Sequence, residues 1–336
     1  MGEKRGWQDY QNARGLFPAA IASENQLMQE LFWIRDNYYI WLSLDGERKE
    51  LMTRGFQSLF DVHKEKISIH TAKKPREEWE YIHPLYKLED NFYEINHNVP
   101  LEKQIGWPWV QNDSIGNLLE ILSFTEDFQR ASLLVDYLRT IEYYSCPDSG
   151  FWERGKELRS SSIAACIRGL QAFQEKFSYD QQNLIEQGYK TLRGIFPKET
   201  PTRNEDLALL SLIYPGKLDE HYLPEGFKEK VISQVQPLIG ERGLKRYLGD
   251  EWAGKEGIFL NEGEEMEWTL GLPWMYLATR EEKYFMKAKE IKEKLEYLPE
   301  GFVRGEPNCT RCLFMSEAFY SLAEKAFHEN SVAVSA

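Results

Sequence analysis

Apolar positions in this chain recur at spacings of three and four far more often than they alternate. Leu27, Leu31, Ile34, Tyr38 and Trp41 form one such stripe, and Met28, Phe32, Tyr39 and Leu42 its neighbour. Together they predict a well-buried helix from Ser23, capped by Ser23 or Asn25. The same period predicts helices over Glu47–Lys64, from Asn112 or Asp113 to Leu122, and from Glu126 to Tyr144. Further helices are expected near 160–174, 180–194, 203–213, 226–239, 270–278, 282–295 and 310–328. Alternating runs and two-residue hairpin signals are few, so no sheet is expected. Residues 1–22 suggest an irregular lead-in, 65–106 a long loop, and 329–336 a loose tail around a single domain over 23–328.

About eleven or twelve helices in 336 residues, one with its loop about every 28, suit either a closed toroid of helical hairpins or an open solenoid. The odd segments favour the toroid. Loops near 33–36, 107–113, 148–155, 246–252 and 297–302 all carry Trp, Tyr, Arg, Asp or Glu, and one rim of an all-α (α/α)6 barrel would gather them into one pocket.

The central loop is Asp148-Ser149-Gly150-Phe151-Trp152-Glu153-Arg154-Gly155, followed by a Ser160-Ser161-Ser162 helix start. Its turn formers end one helix and set Glu153 on a structured loop before the next, a common place for catalytic groups. Trp152 would raise the Glu153 pKa by enclosure, whereas pairing with Arg154 would lower it. Arg35 and Asp36 lie inside a greasy helix, where they must tie to each other or face a polar cavity. Trp107 and Trp109 flank Pro108 ahead of Gln111, Asn112 and Asp113; this stretch suits stacking on a sugar, although helix capping accounts for Asp113 almost as well.

Composition narrows the partners. Net charge is −13, which disfavours nucleic acid and anionic membranes. Aromatics make up 14% of a chain that is 42% hydrophobic, enough to fill a large core or to wall a sugar-binding groove. No secretory signal or 20-residue apolar span is present, and four cysteines fit a reducing, cytoplasmic setting. Cys309-Thr310-Arg311-Cys312 is a lone C-x-x-C without a second pair or nearby histidines, so neither metal nor cofactor is expected.

Six short motifs in order resemble glycoside hydrolase family 15, the glucoamylase family, and within it the amylase-like domain of phosphorylase kinase regulatory subunits. They are Trp33-Ile34-Arg35-Asp36, Gln111-Asn112-Asp113, Gly150-Phe151-Trp152-Glu153-Arg154-Gly155, Arg246-Tyr247, Glu267-Trp268 and Leu298-Pro299-Glu300. The resemblance implies an (α/α)6 barrel that hydrolyses a glycosidic bond with inversion, without a cofactor, Glu153 being the general acid and Glu300 the general base. It implies that Arg35, Asp36 and Arg246 bind sugar hydroxyls and that Trp33, Trp107, Trp109, Trp152 and Trp268 wall the pocket, with Gln111, Asn112, Asp113, Arg154, Tyr247 and Glu267 completing it. The chemistry asks for an enclosed acid and a base kept ionised in a wetter setting. The β-sandwich, starch-binding and calmodulin-binding regions of family relatives have no counterpart in these residues, and the segment after Glu300 departs from the usual Gly-Asn-rich stretch. The expected substrate is a short α-glucoside. A non-catalytic saccharide sensor of the regulatory-subunit type is the alternative, and protein partners stay open.

Overall fold

The computed structural model describes residues 6–22, 27–87, 110–216, 218–252, 260–261, 263–308 and 310–335. In chain order the first elements are β1 (Ala20–Ala22), α1 (Leu27–Glu30), β2 (Leu31–Trp33), α2 (Ile34–Ser43), α3 (Gly46–Ala72) and β3 (Leu85–Lys87). Then come α4 (Asn112–Phe124), α5 (Phe128–Ile141), α6 (Ser160–Phe177), α7 (Gln182–Ile195), a 3-10 helix (Leu207–Leu212) and α8 (Phe227–Val235). The chain ends with β4 (Glu267–Trp268), α9 (Gly271–Thr279), α10 (Glu282–Leu295), β5 (Gly301–Val303), β6 (Glu306–Pro307), β7 (Arg311–Leu313) and α11 (Phe314–Ser335).

Packing closes a ring. α2 packs on α4, α4 on α6, α6 on the Leu207–Leu212 helix, that helix on α9, α9 on α11, and α11 back on α2. The helices between them in sequence, α3, α5, α7, α8 and α10, pack outside. This alternation of inner and outer helices is an (α/α)6 barrel. Composition follows position. Every residue of α4 from Asn112 to Ser123 is buried, as is every residue of α9 from Gly271 to Ala278. Outer α7 buries only a stripe, Leu184, Ile185, Gly188, Tyr189, Leu192 and Ile195, as an amphipathic helix must. At the tightest crossing α4 and α6 meet through Gly116 and Gly169. A Cβ on Gly116 would lie 2.4 Å from the Ala165 carbonyl carbon, so only glycine lets the two backbones touch.

Several elements differ from the expected ones. The long first helix is broken. Residues 23–26, with both expected caps, lie outside the described residues, and Leu31–Trp33 pairs antiparallel with Leu85–Lys87. All three residues are buried. A strand covered on both faces shows no alternation, so its apolar run mimics a helical stripe. The lead-in is tied into the barrel: Leu16 and Phe17 are buried, Asn37 bonds both the N–H and the carbonyl of Phe17, and β1 pairs with β7. α3 continues to Ala72 and β3 occupies Leu85–Lys87, both within the expected 65–106 loop, of which 88–106 lies outside the described residues. The helix near 203–213 is a 3-10 helix over Leu207–Leu212, opened by the Asp206 side chain accepting from Ala208 N–H. α11 runs on to Ser335. Three small sheets exist where none was expected: β1–β7, β2–β3 and β4–β5–β6. β2, β4 and β7 lead into the inner helices α2, α9 and α11, so the sheets bind the loops of one rim to one another.

Candidate active site

That rim holds a cavity of about 330 Å³. Its walls come from the N-terminal ends of inner helices. Arg35 and Asp36 stand in the first turn of α2, Glu153 on the loop before α6, Arg246 and Trp268 ahead of α9, and Glu300 and Met315 around the start of α11. Trp33, Trp152 and Arg154 also line it.

Arg35 is the hub. Its Nη1 donates to Gln111 Oε1 (3.2 Å), Asp113 Oδ2 (3.4 Å) and Gly150 O (3.3 Å), and its Nη2 to Glu153 Oε1 (3.1 Å). Its Nε lies 3.7 Å from Asp36, and its plane sits 4.7 Å from the Phe151 ring centroid. Burial opposes its charge, but Asp113, Glu153 and Asp36 outweigh it and hold the guanidinium protonated. Asp36 responds the other way. Burial pushes its carboxyl up to about 7 against the pull of Arg35, and the charges of Glu153, Asp113 and Glu300 add to the rise. Asp36 therefore feels both glutamates in one enclosed space.

Glu153 occupies the left-handed region at φ 58°, a conformation that costs a non-glycine residue free energy and is held only by its surroundings. The holding group is Arg159, 2% exposed. Its guanidinium donates to the carbonyls of Asp148 (3.1 Å), Gly155 (2.9 Å) and Arg154. Its side chain fills the space a Cβ on Gly150 would need. Asp148 and Glu157 close the base of the loop with paired backbone bonds of 2.9 and 3.0 Å. Glu153 Oε1 also accepts from Gln111 Nε2 at 3.2 Å.

Trp152 is tied to the start of the Leu207–Leu212 helix. Its Nε1 donates to Asp206 Oδ1 at 2.7 Å, and its ring lies 5.7 Å from that of Trp268. Arg246 sits 4.8 Å from the Trp268 ring and 5.5 Å from the Trp152 ring, fixed by a bidentate pair with Asp250 at 2.6 and 2.7 Å. Glu300 is not in a wetter setting. It is 5% exposed, and burial raises its carboxyl above the usual range, while bonds from Asn308 (2.6 Å) and Thr310 pull it back.

Other expected pocket residues stand elsewhere. Gln111 and Asp113 form a layer behind Arg35. Asn112 ties the chain instead, its N–H donating to Asp148 Oδ2 and its Nδ2 to Cys146 O. Tyr247 lies outside the lining, under the Arg203 guanidinium at 3.8 Å. Glu267 turns away: its carboxylate accepts from Arg242 N–H and fills the space beside Gly240. Neighbours on a strand point to opposite faces, so with Trp268 on the cavity Glu267 cannot join it. Trp107 and Trp109 lie outside the described residues. Sequence reasoning missed Phe151, Trp252, Met28 and Leu313 on the wall and Asp206, Asp250 and Arg159 behind it. Among the described residues no His, Cys, Asp or Glu cluster is placed to hold a metal, and no helix is long and apolar enough to cross a membrane.

Comparison with known proteins agrees with this architecture. No family model matches the chain. A probable phosphorylase b kinase regulatory subunit alpha from Drosophila melanogaster is 23% identical over 283 residues, 70% of this chain but only 22% of that protein, so the chain spans about a fifth of its relative's length. Among solved structures, a glycosidase superposes with a TM-score of 0.71 at 14% identity, covering 94% of this chain and 92% of its own. A variant of that glycosidase in complex with glucose gives 0.70 with the same coverage. A glucoamylase from Saccharomycopsis fibuligera gives 0.61 at 12% identity over 93% and 88%. The chain is thus a glucoamylase-like (α/α)6 barrel. Its sequence relation to phosphorylase kinase regulatory subunits is distant, as is its identity to the glycosidases whose fold it shares.

Proposed function

We propose that this chain is an inverting, exo-acting glycoside hydrolase that releases glucose from a short α-glucoside, with Glu153 as general acid and Glu300 as general base. The observation that carries the reading is that two glutamates from different rim loops line one cavity together with Arg35 and Asp36. Inversion needs two carboxyls flanking the anomeric carbon, one to protonate the leaving oxygen and one to activate water. Glu153 Oε1 is taken by Arg35 and Gln111, which leaves Oε2 to deliver the proton. As the proton leaves, Arg35 and Gln111 already face the carboxylate that forms. Glu300, made more basic by burial and held by Asn308, takes a proton from the attacking water once it is ionised. Arg35, Asp36 and Arg246 hold hydroxyls of the glucosyl unit, and the Trp152 and Trp268 rings give its apolar faces a wall. Trp268 Nε1 is buried without an acceptor among the described residues, a donor left for a ligand. At about 330 Å³ the cavity is near the lower limit of small-ligand sites, about 300–1,000 Å³, which supports a short substrate over a polymer.

The regulatory-subunit relative favours a second reading, a saccharide-binding protein without turnover. One experiment separates the two: incubation with maltose, isomaltose, trehalose, maltotriose and soluble starch, following released glucose and its anomer by NMR. Release of β-glucose by the wild type, abolished in Glu153→Gln and in Glu300→Gln, supports the hydrolase. Stabilisation by a sugar without release supports the sensor, and neither effect defeats both.

A further inference from the structure

Among the described residues the guanidinium groups at the cavity are paired with carboxylates, with one exception. Arg35 is matched by Asp36, Asp113 and Glu153; Arg246 by Asp250; and Arg203, just outside, by Asp206. Lys156 pairs with Glu78. Arg154 lines the cavity, is half-buried, and makes no side-chain hydrogen bond or ion pair with any described residue. Its backbone is fixed at both ends, the N–H donating to Ser149 O at 3.0 Å and the carbonyl accepting from Arg159. The side chain therefore starts from a rigid base with no described residue to bond. A partly desolvated guanidinium on a cavity wall, without a side-chain partner among the described residues and on a chain of net charge −13, is a donor made for an oxyanion.

We propose that Arg154 receives a phosphate or carboxylate carried by the substrate. The proposal rests on the hydrolase reading for its placement: Arg154 lines the same cavity as Glu153 and Glu300. The substrate class is then an anionic glycoside, a glucose unit linked to an acidic alcohol or a phosphorylated sugar, and not a neutral glucan.

The test compares two ligands that differ in one charge, 4-carboxyphenyl and 4-carbamoylphenyl α-D-glucoside, by calorimetric Kd on the full chain. The readout is the ratio of the two constants. In the wild type the carboxylate is expected to bind about tenfold tighter, and the ratio should shrink with added salt. In Arg154→Gln it should fall to about one, Arg154→Lys should lie between, and Lys156→Gln should match the wild type. Glucose 6-phosphate against glucose, measured the same way, tells a phosphate preference from a carboxylate preference. Equal affinities in the wild type, or a ratio that survives Arg154→Gln, overturn the proposal while leaving the sugar site intact. If no glucoside or sugar binds at all, the sugar reading fails and the proposal falls with it.

Discussion

Arg159→Met tests whether the acid-bearing loop is held in place by one buried cation. The wild-type guanidinium donates to three carbonyls, at Asp148, Arg154 and Gly155. Hydrogen bonds from a charged donor contribute about 1.5–3 kcal/mol each. Gly155 is exposed, so its carbonyl regains water in the variant, and the methionine still buries an apolar stem. Asp148, 1% exposed, loses the cation 3.9 Å from its carboxylate. The net cost is about 3–4 kcal/mol, in the range for breaking a buried pair by removing one partner. With an unfolding entropy of about 2 cal/mol/K per residue, this lowers Tm by roughly 5 °C. Released from its anchor, Glu153 no longer has a reason to keep φ 58°, and a shift of about 1 Å at a catalytic group costs about 100-fold in kcat. Calorimetry and glucose release on the same preparation measure both. A Tm within 1 °C of wild type (against the roughly 5 °C expected) would refute the packing argument, and a normal kcat despite the Tm drop would refute the positioning argument. Arg159→Lys, which can satisfy one carbonyl, should fall between.

The remaining predictions are briefer. kcat/KM should fall on the acid side through an apparent pKa above the usual glutamate value of about 4.3, because burial raises Glu300; a limb at or below that value would count against Glu300 as base. Folding stability should decline as pH rises from about 4 to 8. Burial raises Asp36 and Asp148 to about 7 and Glu199 to about 8, so the native state holds protons that unfolded carboxyls, near pH 4, release; thermal melts between pH 5 and 8.5 should show Tm dropping. Gly116→Ala should destabilise by about 3 kcal/mol or more in urea, since its Cβ meets backbone that cannot yield. Trp152→Phe should raise KM by about tenfold, because the ring loses the Asp206 bond that orients it.

Helical architecture was legible in the sequence because inner and outer helices both keep the three-and-four spacing, and the site was legible because its residues sit beside helix starts marked by turn formers. The errors have a common cause. Leu31–Trp33 looked helical because burial on both faces erases alternation. Glu267 and Tyr247 were assigned to the pocket together with their neighbours Trp268 and Arg246. Both pairs lie at strand-like ladder positions, Glu267 opposite Phe302 and Tyr247 opposite Asp206, where adjacent side chains diverge. A motif names consecutive residues, and in extended backbone only every second one can face the same site.

The two glutamates show what no local pattern can supply. Trp152 sits next to Glu153 in sequence, which suggested an enclosed acid, and the inverting chemistry asked for Glu300 as a base in a wetter setting. In the fold, the tertiary surroundings decide: Arg35 and Gln111, 118 and 42 residues away, engage Glu153, while Asn308 and Thr310, on the segment that follows it, engage a buried Glu300. Burial therefore does not sort acid from base here, as it does where one carboxyl is enclosed and the other wet. On the proposed hydrolase reading, what distinguishes them is the group facing each: a guanidinium bonds Glu153, whereas neutral amide and hydroxyl donors bond Glu300. The roles follow from what each carboxyl becomes during the reaction, which makes the pH profile of kcat/KM in wild type and Gln111→Leu the sharpest comparison. Loss of the Gln111 bond should lower kcat by about tenfold and leave the Glu300-governed acid limb where it was, since that limb belongs to a carboxyl Gln111 does not bond.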